Sequence, residues 1–386
     1  MNNFRNDYSD FGSKEIYQEI ERIFDKKVSG YGTDEISNEA RDLILREIGR
    51  DADIEFVSGG TATNILATTF GLRPYEAVLS ASTGHIIHHE TGSIEATGHK
   101  VVTLKTSDGK LKADEIRNFI DDQPGEIDIK IKVVYISQTT EVGTVYSIDE
   151  IKEIYEVCQE KGLYLYIDGA RIAHAMAANS SKLLDYAKYS HIFSIGGTKN
   201  GAIFGEALVI LDENLKKDFR YYLKQRGAMM AKSFLIGLSF KVLFQDGLYY
   251  KNANRAYEMS RLLVDGLKDL GRDPVFSESN QIFIKSSPEE IEKLEKENRA
   301  KANEIKKKIS EITLTIKAKA GEGGRLFGAI TSADIAKKLK QEHKIDVDKK
   351  KILLEENIKE AGMKNIDIKL YPDIVATLKV NVRPES

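Results

Sequence analysis

One lysine stands in a glycine-rich interruption between two apolar segments of the sequence. Lys199 lies within Gly-Gly-Thr-Lys-Asn-Gly, residues 196–201, and the segments on either side have the composition of buried strands. A lysine that enters an apolar pocket from a strand end has a lowered pKa and reacts as a nucleophile toward carbonyl groups. The alternative is a turn lysine whose amine points into water.

A carboxylate ends a second apolar run, in the segment Leu-Tyr-Leu-Tyr-Ile-Asp-Gly-Ala-Arg, residues 163–171. Asp168 needs a cation in such a place, because burying an unpaired charge is costly. The ring nitrogen of pyridoxal phosphate is one such cation, and an aspartate that keeps it protonated makes the ring an electron sink. A structural ion pair between Asp168 and Arg171 is the alternative interpretation.

A third segment, Ser-Gly-Gly-Thr-Ala-Thr-Asn at residues 58–64, predicts a turn from a strand into a helix. The backbone N–H groups of residues 59–62, with the hydroxyl of Thr61, suit an anion at the N-terminus of a helix. The segment matches neither G-x-G-x-x-G nor G-x-x-x-x-G-K-[ST], so the glycines alone are weak evidence.

Four of the seven histidines lie within fifteen residues, at positions 85, 88, 89 and 99. Such a cluster suggests metal binding, but the adjacent His88 and His89 cannot easily share one ion on a regular element. We therefore predict no metal site. His85 is instead predicted to stack its imidazole on a cofactor ring, and plain core or surface roles are the alternative for these histidines.

These segments are connected by a regular alternation of helices and strands over residues 34–210. Short runs rich in Val, Ile, Leu and Tyr are separated by helical patterns, which predicts an α/β fold with a mostly parallel sheet and helices on both faces. Ligands of such sheets bind at the carboxyl ends of the strands. Every cluster described above lies at one of those ends.

The charge distribution divides the chain of 386 residues into two parts. Residues 285–386 carry 23 Lys or Arg and 18 Asp or Glu, whereas residues 1–284 carry 34 and 42. An acidic body thus precedes a basic tail, which hints at two units with different partners. The predicted domains are 1–250, the large domain; 251–286, a remnant of a small domain; 287–312, a charged helix; and 313–386, a compact α+β unit.

The composition also bears on location. No apolar run approaches the roughly 18 residues that a membrane span needs, and the first residues contain no apolar segment of the signal-peptide kind. Cys158 is the only cysteine, which excludes an intramolecular disulfide and a cysteine metal cluster. These features predict a cytoplasmic protein, with Cys158 as a core thiol in a helix.

Four segments together carry a resemblance to a known family. Residues 60–64, 85–90, 168–171 and 197–201 have the order and spacing of the pyridoxal-phosphate-dependent threonine aldolase and aromatic amino acid β-eliminating lyase family. The resemblance runs from about residue 8 to about residue 285. It implies an aspartate-aminotransferase-like large domain and cleavage of a threonine-like β-hydroxy-α-amino acid to glycine and an aldehyde.

The resemblance also implies roles for individual residues. Lys199 would bind the cofactor aldehyde covalently, Asp168 would pair with the pyridine nitrogen, and His85 would stack on the ring, which makes these three the predicted catalytic residues. Arg171 would contact the cofactor or the substrate carboxylate. The full predicted cofactor-binding set is Gly60, Thr61, Ala62, His85, Asp168, Arg171, Thr198 and Lys199.

The sequence departs from the family in two places. Thr140 stands where aldolases of the family often carry a histidine near the substrate hydroxyl, so Glu90 or a water would have to accept that proton. The small domain, which supplies an arginine for the substrate carboxylate in the family, stops after about one strand. Arg226 and Lys232 are the predicted substitutes, and with Glu90 and Thr140 they complete the predicted substrate site.

The basic tail resembles a second family. Lys317, Lys319 and Arg325 surround a glycine loop with Phe327 beside it, a combination that suits phosphate contact and base stacking. An ordinary solvated hairpin is the alternative. Residues from about 297 to 386 resemble the connecting helix and C-terminal domain of bacterial large-subunit ribosomal protein nine, which implies ribosomal RNA binding through these four residues.

The sequence therefore predicts a pyridoxal-phosphate-dependent carbon–carbon lyase of threonine aldolase type, fused to a ribosomal-type domain. The lyase resemblance implies a homodimer or homotetramer that acts on an amino-acid substrate. Two alternatives stay open, because each part lacks a portion of the protein that it resembles. One is a ribosomal RNA-binding protein of the large subunit, and the other is a chimera in which neither activity is intact.

Overall fold

The alternating segments of residues 34–210 form a seven-stranded sheet in the computed structural model, which describes residues 4, 6–321, 324–354 and 356–385. The chain separates into a first unit, Phe4–Lys285, and a second unit, Ser286–Ser386. No helix among the described residues has the length and apolar character that a membrane crossing requires.

The helices of the first unit are α1 (Lys14–Arg22), α2 (Glu35–Ile48), α3 (Gly60–Thr69), α4 (His85–His88), α5 (Ala113–Asp121), α6 (Ile148–Lys161), α7 (Ile172–Asn179), α8 (Leu183–Lys188), α9 (Glu213–Lys216), α10 (Phe219–Gln225), α11 (Phe234–Gln245) and α12 (Leu248–Asp269). Its strands are β1 (Asp53–Val57), β2 (Glu76–Ala81), β3 (Val101–Leu104), β4 (Lys130–Ser137), β5 (Tyr164–Asp168), β6 (Ile192–Gly196), β7 (Glu206–Ile210), β8 (Pro274–Val275) and β9 (Phe283–Ile284).

The large sheet has the order β1-β7-β6-β5-β4-β2-β3. Only β7 runs antiparallel to its neighbours, and the other adjacent strands are parallel, which confirms the predicted mostly parallel sheet. The sequence of β5 is almost wholly apolar because both faces of the strand are buried. Leu165 and Ile167 lie in one hydrophobic core, and Tyr166 lies in the other. Both faces are covered, as parallel sheets require.

The helix boundaries follow signals that the sequence carries. Helix α2 begins after Asp34, whose carboxylate accepts a hydrogen bond from the Ser37 N–H, and it ends at Gly49 in the left-handed conformation. Cys158 is buried in α6, which confirms the prediction of a core thiol.

The sequence predicts that the small domain stops after about one strand, and the structure has two very short strands there. Strands β8 and β9 hold two residues each and pair with each other. The polar loop between them is held instead by Arg261, whose guanidinium donates to the carbonyls of Ser277 and Ser279 at 2.6 and 2.7 Å.

The second unit has an α+β fold with its own hydrophobic core. Its sheet order is β10-β15-β14-β12, and β11 pairs separately with β13. Its elements are α13 (Pro288–Ser310), β10 (Thr313–Ala318), β11 (Arg325–Ile330), α14 (Ser332–His343), β12 (Ile352–Leu353), β13 (Ile358–Glu360), β14 (Gly362–Tyr371) and β15 (Ile374–Pro384).

Strands β14 and β15 form a hairpin, whereas β10 pairs in parallel with β15 rather than forming a regular hairpin with β11. Helix α14 begins with a capping box, since Thr331 and Asp334 exchange side-chain and backbone hydrogen bonds. The charged helix α13 is solvated near its start, where Ile291 is 56% exposed, but Ile309 near its end is fully buried.

Candidate active site

A cavity of about 480 Å³ lies at the carboxyl edge of the large sheet. The turns that follow β1, β2, β4, β5 and β6 contribute to it, as expected where parallel strands end at one edge. Seven of the eight predicted cofactor-binding residues line this cavity, and Ala62 does not. The lining residues are Tyr8, Ser58, Gly59, Gly60, Thr61, Asn64, His85, His89, Ser137, Thr139, Glu141, Asp168, Ala170, Arg171, Thr198, Lys199, Phe204 and Glu206.

Asp168, the last residue of β5, is a buried carboxylate held by three hydrogen bonds. The Tyr135 hydroxyl donates to Oδ2 at 2.6 Å, the Asn64 amide donates to the same oxygen at 3.1 Å, and the Ala170 N–H donates to Oδ1 at 3.1 Å. Burial and the charge of Asp168 raise the pKa of Tyr135 well above its usual value, so the phenol remains a donor. These contacts fix the orientation of a carboxylate that lines the cavity.

The N-terminus of α3 forms another part of the wall. Gly59 precedes the helix and Gly60 begins it, and a Cβ built on either glycine meets no atom within 4 Å. The first N–H groups of a helix have no carbonyl partner within the helix. The wall therefore combines open space with unpaired donors and a helix dipole, which suits a phosphate.

The turn that carries Lys199 is fixed by its neighbours. Asn200 donates its side-chain amide to the Tyr249 carbonyl at 2.8 Å, and the Thr198 hydroxyl oxygen accepts from the Gly205 N–H at 3.0 Å. Lys199 itself takes no part in these bonds. Its half-buried side chain is therefore presented to the cavity by a turn that does not depend on it.

Glu206 is a cavity residue that the sequence analysis did not identify. It begins β7 and accepts a hydrogen bond from the Gly197 N–H at 2.8 Å. Burial raises the pKa of Glu206 to about 7, against the effect of hydrogen bonds from Gly197 and Thr198 and of the Lys199 charge. The cavity thus contains a carboxyl group that titrates near neutral pH beside the predicted nucleophile.

Arg171 is paired with a residue near the start of the chain rather than with Asp168. Its Nε and Nη2 donate to the two carboxylate oxygens of Asp7 at 2.7 and 3.1 Å. Burial tends to raise the pKa of Asp7, but the hydrogen bonds and charge of Arg171, the charge of Lys199 and a bond from Asn280 hold it below its usual value. The alternative of an Asp168–Arg171 ion pair is not what the structure contains.

A second unpredicted carboxylate lies beside His85. Glu141, in the turn after β4, places Oε1 at 3.1 Å from His85 Nδ1, and both side chains line the cavity. His89 lies on the same side of α4, with its ring centroid 5.1 Å from that of His85. The side-chain donor atoms of the three residues all lie within 4.8 Å of one another.

The four residues predicted for the substrate do not line the cavity. Thr140 is buried and bonds to Thr144 at 2.7 Å. Glu90 is buried, and its carboxylate accepts from Asn64 and Ser93. Arg226 and Lys232 are exposed, and the guanidinium of Arg226 lies over the Tyr222 ring.

The geometry agrees with comparisons to known proteins. The beta-eliminating lyase family matches residues 9–321. The chain belongs to this family. It is 33% identical over 270 residues to the low specificity L-threonine aldolase of Pseudomonas aeruginosa. The matched residues are 68% of this chain and 78% of that protein.

Solved structures of the family and of its fold lead to the same assignment. The threonine aldolase of Leishmania major is 43% identical, with a TM-score of 0.74 over 76% of this chain and 87% of that chain. An aspartate aminotransferase of Thermus thermophilus has a TM-score of 0.56 at 16% identity over 72% of this chain and 75% of that chain. The first unit of this chain therefore has the aspartate-aminotransferase-like α/β fold.

The second unit belongs to a different family. The C-terminal domain of ribosomal protein L9 matches residues 300–384. The large ribosomal subunit protein bL9 of Finegoldia magna is 54% identical over 96 residues, which are 25% of this chain and 65% of that protein. The chain thus joins a lyase domain of threonine aldolase type to an L9-type C-terminal domain, as predicted.

Pyridoxal 5′-phosphate is the cofactor of the lyase family, and the donor set of the cavity fits it. The group needs an anion site for its phosphate, a carboxylate for its ring nitrogen and an amine for its aldehyde. The N-terminus of α3, Asp168 and Lys199 supply these three, and all of them line one cavity. Thr198 also lines the cavity, and its hydroxyl accepts from the Gly205 N–H at 3.0 Å and donates to the Gly205 carbonyl at 3.4 Å.

Proposed function

We propose that the first unit is an aldolase that cleaves a threonine-like β-hydroxy-α-amino acid to glycine and an aldehyde. The observation that supports this most is the shared cavity, which brings Lys199, Asp168, His85 and the N-terminus of α3 together. Both similar threonine aldolases described above have that activity in their names.

In this proposal the bound cofactor withdraws the electrons that remain at the substrate Cα after the Cα–Cβ bond breaks. Asp168 would pair with the ring nitrogen. His85 would pack its imidazole against the ring, and Lys199 would supply the amine. Thr198, Gly60 and Thr61 hold the phosphate through hydroxyl and backbone donors.

Arg171 is proposed to contact the substrate carboxylate. The Arg171 guanidinium has five N–H donors. Only two of them, one on Nε and one on Nη2, donate to Asp7. Asp7 therefore fixes the plane of the guanidinium while leaving donors for a second carboxylate. Arg226 and Lys232, which lie outside the cavity of their own chain, stay a weaker proposal for substrate binding.

We further propose that the protein is a cytoplasmic homodimer or homotetramer. The location is supported by the similarity of the second unit to ribosomal proteins. The oligomer is supported by membership of the lyase family, in which sites lie at subunit interfaces. Sedimentation equilibrium of the purified chain measures the oligomer directly.

The full-length chain tests the lyase proposal when it is titrated with pyridoxal phosphate. We expect a visible absorption band, and reduction with borohydride should leave a covalent adduct on the peptide that contains Lys199. We also expect glycine release from L-threonine above the rate without protein. An adduct spread over many surface lysines, with no glycine release, would contradict the proposal.

A second function is proposed for the L9-type domain, which we expect to bind ribosomal RNA. Lys317, Lys319 and Arg325 are exposed, and the Phe327 ring is 80% exposed beside them, although a ring of that size is usually buried. Cations neutralise phosphates and an exposed ring stacks on an unpaired base. Gly323, part of the predicted loop, lies outside the described residues.

Binding of the full chain to large-subunit ribosomal RNA should weaken as salt rises. Replacing Lys319 and Arg325 together by alanine should lower the slope of log K against log salt by about two, one for each phosphate contact. Lys364→Ala, an exposed lysine of β14, serves as the control. An unchanged slope in the double variant would show that the loop does not contact the RNA.

A further inference from the structure

The proposed aldol cleavage requires a group that accepts the proton of the substrate β-hydroxyl. The sequence offered Glu90 or a water, because Thr140 replaces the expected histidine. The structure removes both side chains from consideration, since neither lines the cavity and each is bonded to neighbouring protein groups. The acceptor is then a water or another side chain of the cavity.

Glu141 and His85 form the arrangement that general base catalysis uses elsewhere. Oε1 of Glu141 lies 3.1 Å from Nδ1 of His85, and the Glu141 side chain is only 19% exposed. A carboxylate that accepts the Nδ1 proton fixes the imidazole in the tautomer whose Nε2 carries a lone pair. The partner also stabilises the imidazolium that forms when Nε2 takes a proton.

We propose that Glu141 is a positioning residue that orients His85 as the base for the substrate β-hydroxyl. This inference rests on the proposed aldolase function. The hydroxyl proton passes to Nε2 of His85, the Cα–Cβ bond breaks, and the aldehyde C=O forms. The electron pair of the broken bond stays at Cα, and the imidazolium returns the proton through solvent to Cα, which yields glycine.

The charges around the pair support this assignment. His85 is faced by Glu141 from the turn after β4, by His89 just after α4, by Asp168 from β5 and by Lys199 from the turn after β6. The hydrogen bond that His85 donates to Glu141 is the largest influence and raises the pKa of His85, although burial and Lys199 oppose it. Burial tends to raise the pKa of Glu141, but His85, Arg171 and Lys199 together lower it, so Glu141 stays a carboxylate. The raised pKa makes His85 a stronger base.

Glu141→Gln tests the proposal, because the amide keeps the shape and loses the charge. We expect kcat for glycine release from threonine to fall roughly 10²-fold, as for loss of an effective general base, with little change in KM. The acid limb of the kcat profile should move to lower pH, since a weaker base stays unprotonated further into acid. Glu141→Asp should recover part of kcat, and Glu95→Gln, on an exposed carboxylate, should match the wild type.

An NMR titration of the cofactor-free chain gives a readout that does not depend on turnover. The ring proton signal of His85, assigned by its loss in His85→Gln, should titrate at lower pH in Glu141→Gln than in the wild type. EDTA in all samples keeps metal ions off the imidazoles. An unchanged His85 titration overturns the pairing even if the wild type is active. A wild type that releases no glycine overturns the proposed function, and the catalytic part of this inference with it.

Discussion

Lys199→Ala is expected to lower kcat for glycine release from threonine by roughly 10⁴-fold or more. A fall of this size is the upper end of the range for loss of one positioned catalytic group. We expect it because the substitution removes both the covalent attachment of the cofactor and an amine that can carry a proton. The visible absorption band and the borohydride adduct should both be lost. The fold should survive, because Thr198, Asn200 and Glu206 make the hydrogen bonds that fix the turn.

Two measurements separate loss of the amine from loss of the site. Quenching of tyrosine fluorescence by pyridoxal phosphate should still report binding in Lys199→Ala, although more weakly, because the N-terminus of α3 and Asp168 are intact. Lys100→Ala, an exposed lysine that precedes β3, should keep the band, the adduct and the wild-type kcat. A variant at Lys199 that retained the band and turnover would show that another amine holds the cofactor.

The predictable part of the site consists of residues that directly follow strands. Lys199, Asp168 and the glycines at 59 and 60 each interrupt or end an apolar run, and such runs become strands whose carboxyl ends share an edge. Local sequence was sufficient for them because the parallel sheet converts position along a strand into position in space. The capping signals at Gly49 and Thr331 were predictable for the same local reason.

The residues that were missed reach the site through contacts far apart in sequence. Asp7 lies 164 residues from its partner Arg171, and Glu141 lies 56 residues from His85. No periodicity or spacing links such pairs, since they meet only once the sheet has formed. Thr140 shows the related difficulty that neighbours in a turn after a strand point in different directions. The residue beside it, Glu141, faces the cavity, and Thr140 faces the core.

Gly169→Ala is expected to destabilise the first unit by roughly 3 kcal/mol, the upper end of the cost of overpacking. A Cβ at this position would lie 1.9 Å from the Ser194 carbonyl oxygen and 3.1 Å from the Ile172 Cβ. The obstacle is backbone, so a side-chain rotation cannot relieve it. The same segments are joined by hydrogen bonds, from the Gly169 N–H to the Ser194 hydroxyl and from the Gly196 N–H to the Gly169 carbonyl.

The consequence for the site follows from the position of Gly169 between β5 and β6. Separating the ends of these strands moves Asp168 away from the turn that carries Lys199, so we expect weaker binding of pyridoxal phosphate as well as a lower melting temperature. Thermal unfolding of the cofactor-free chain should show a drop of roughly 6–12 °C.

The same substitution at Gly266 provides a matched control of opposite sign. Gly266 lies inside α12, and a Cβ there meets no atom within 4 Å, so Gly266→Ala should stabilise the chain by about 0.5–1 kcal/mol through helix propensity. Cofactor binding should not change in this variant. Gly169→Ala could instead have the melting temperature of the wild type and bind the cofactor as tightly. In that case the close approach of β5 and β6 would not set the distance between the Asp168 carboxylate and the Lys199 amine.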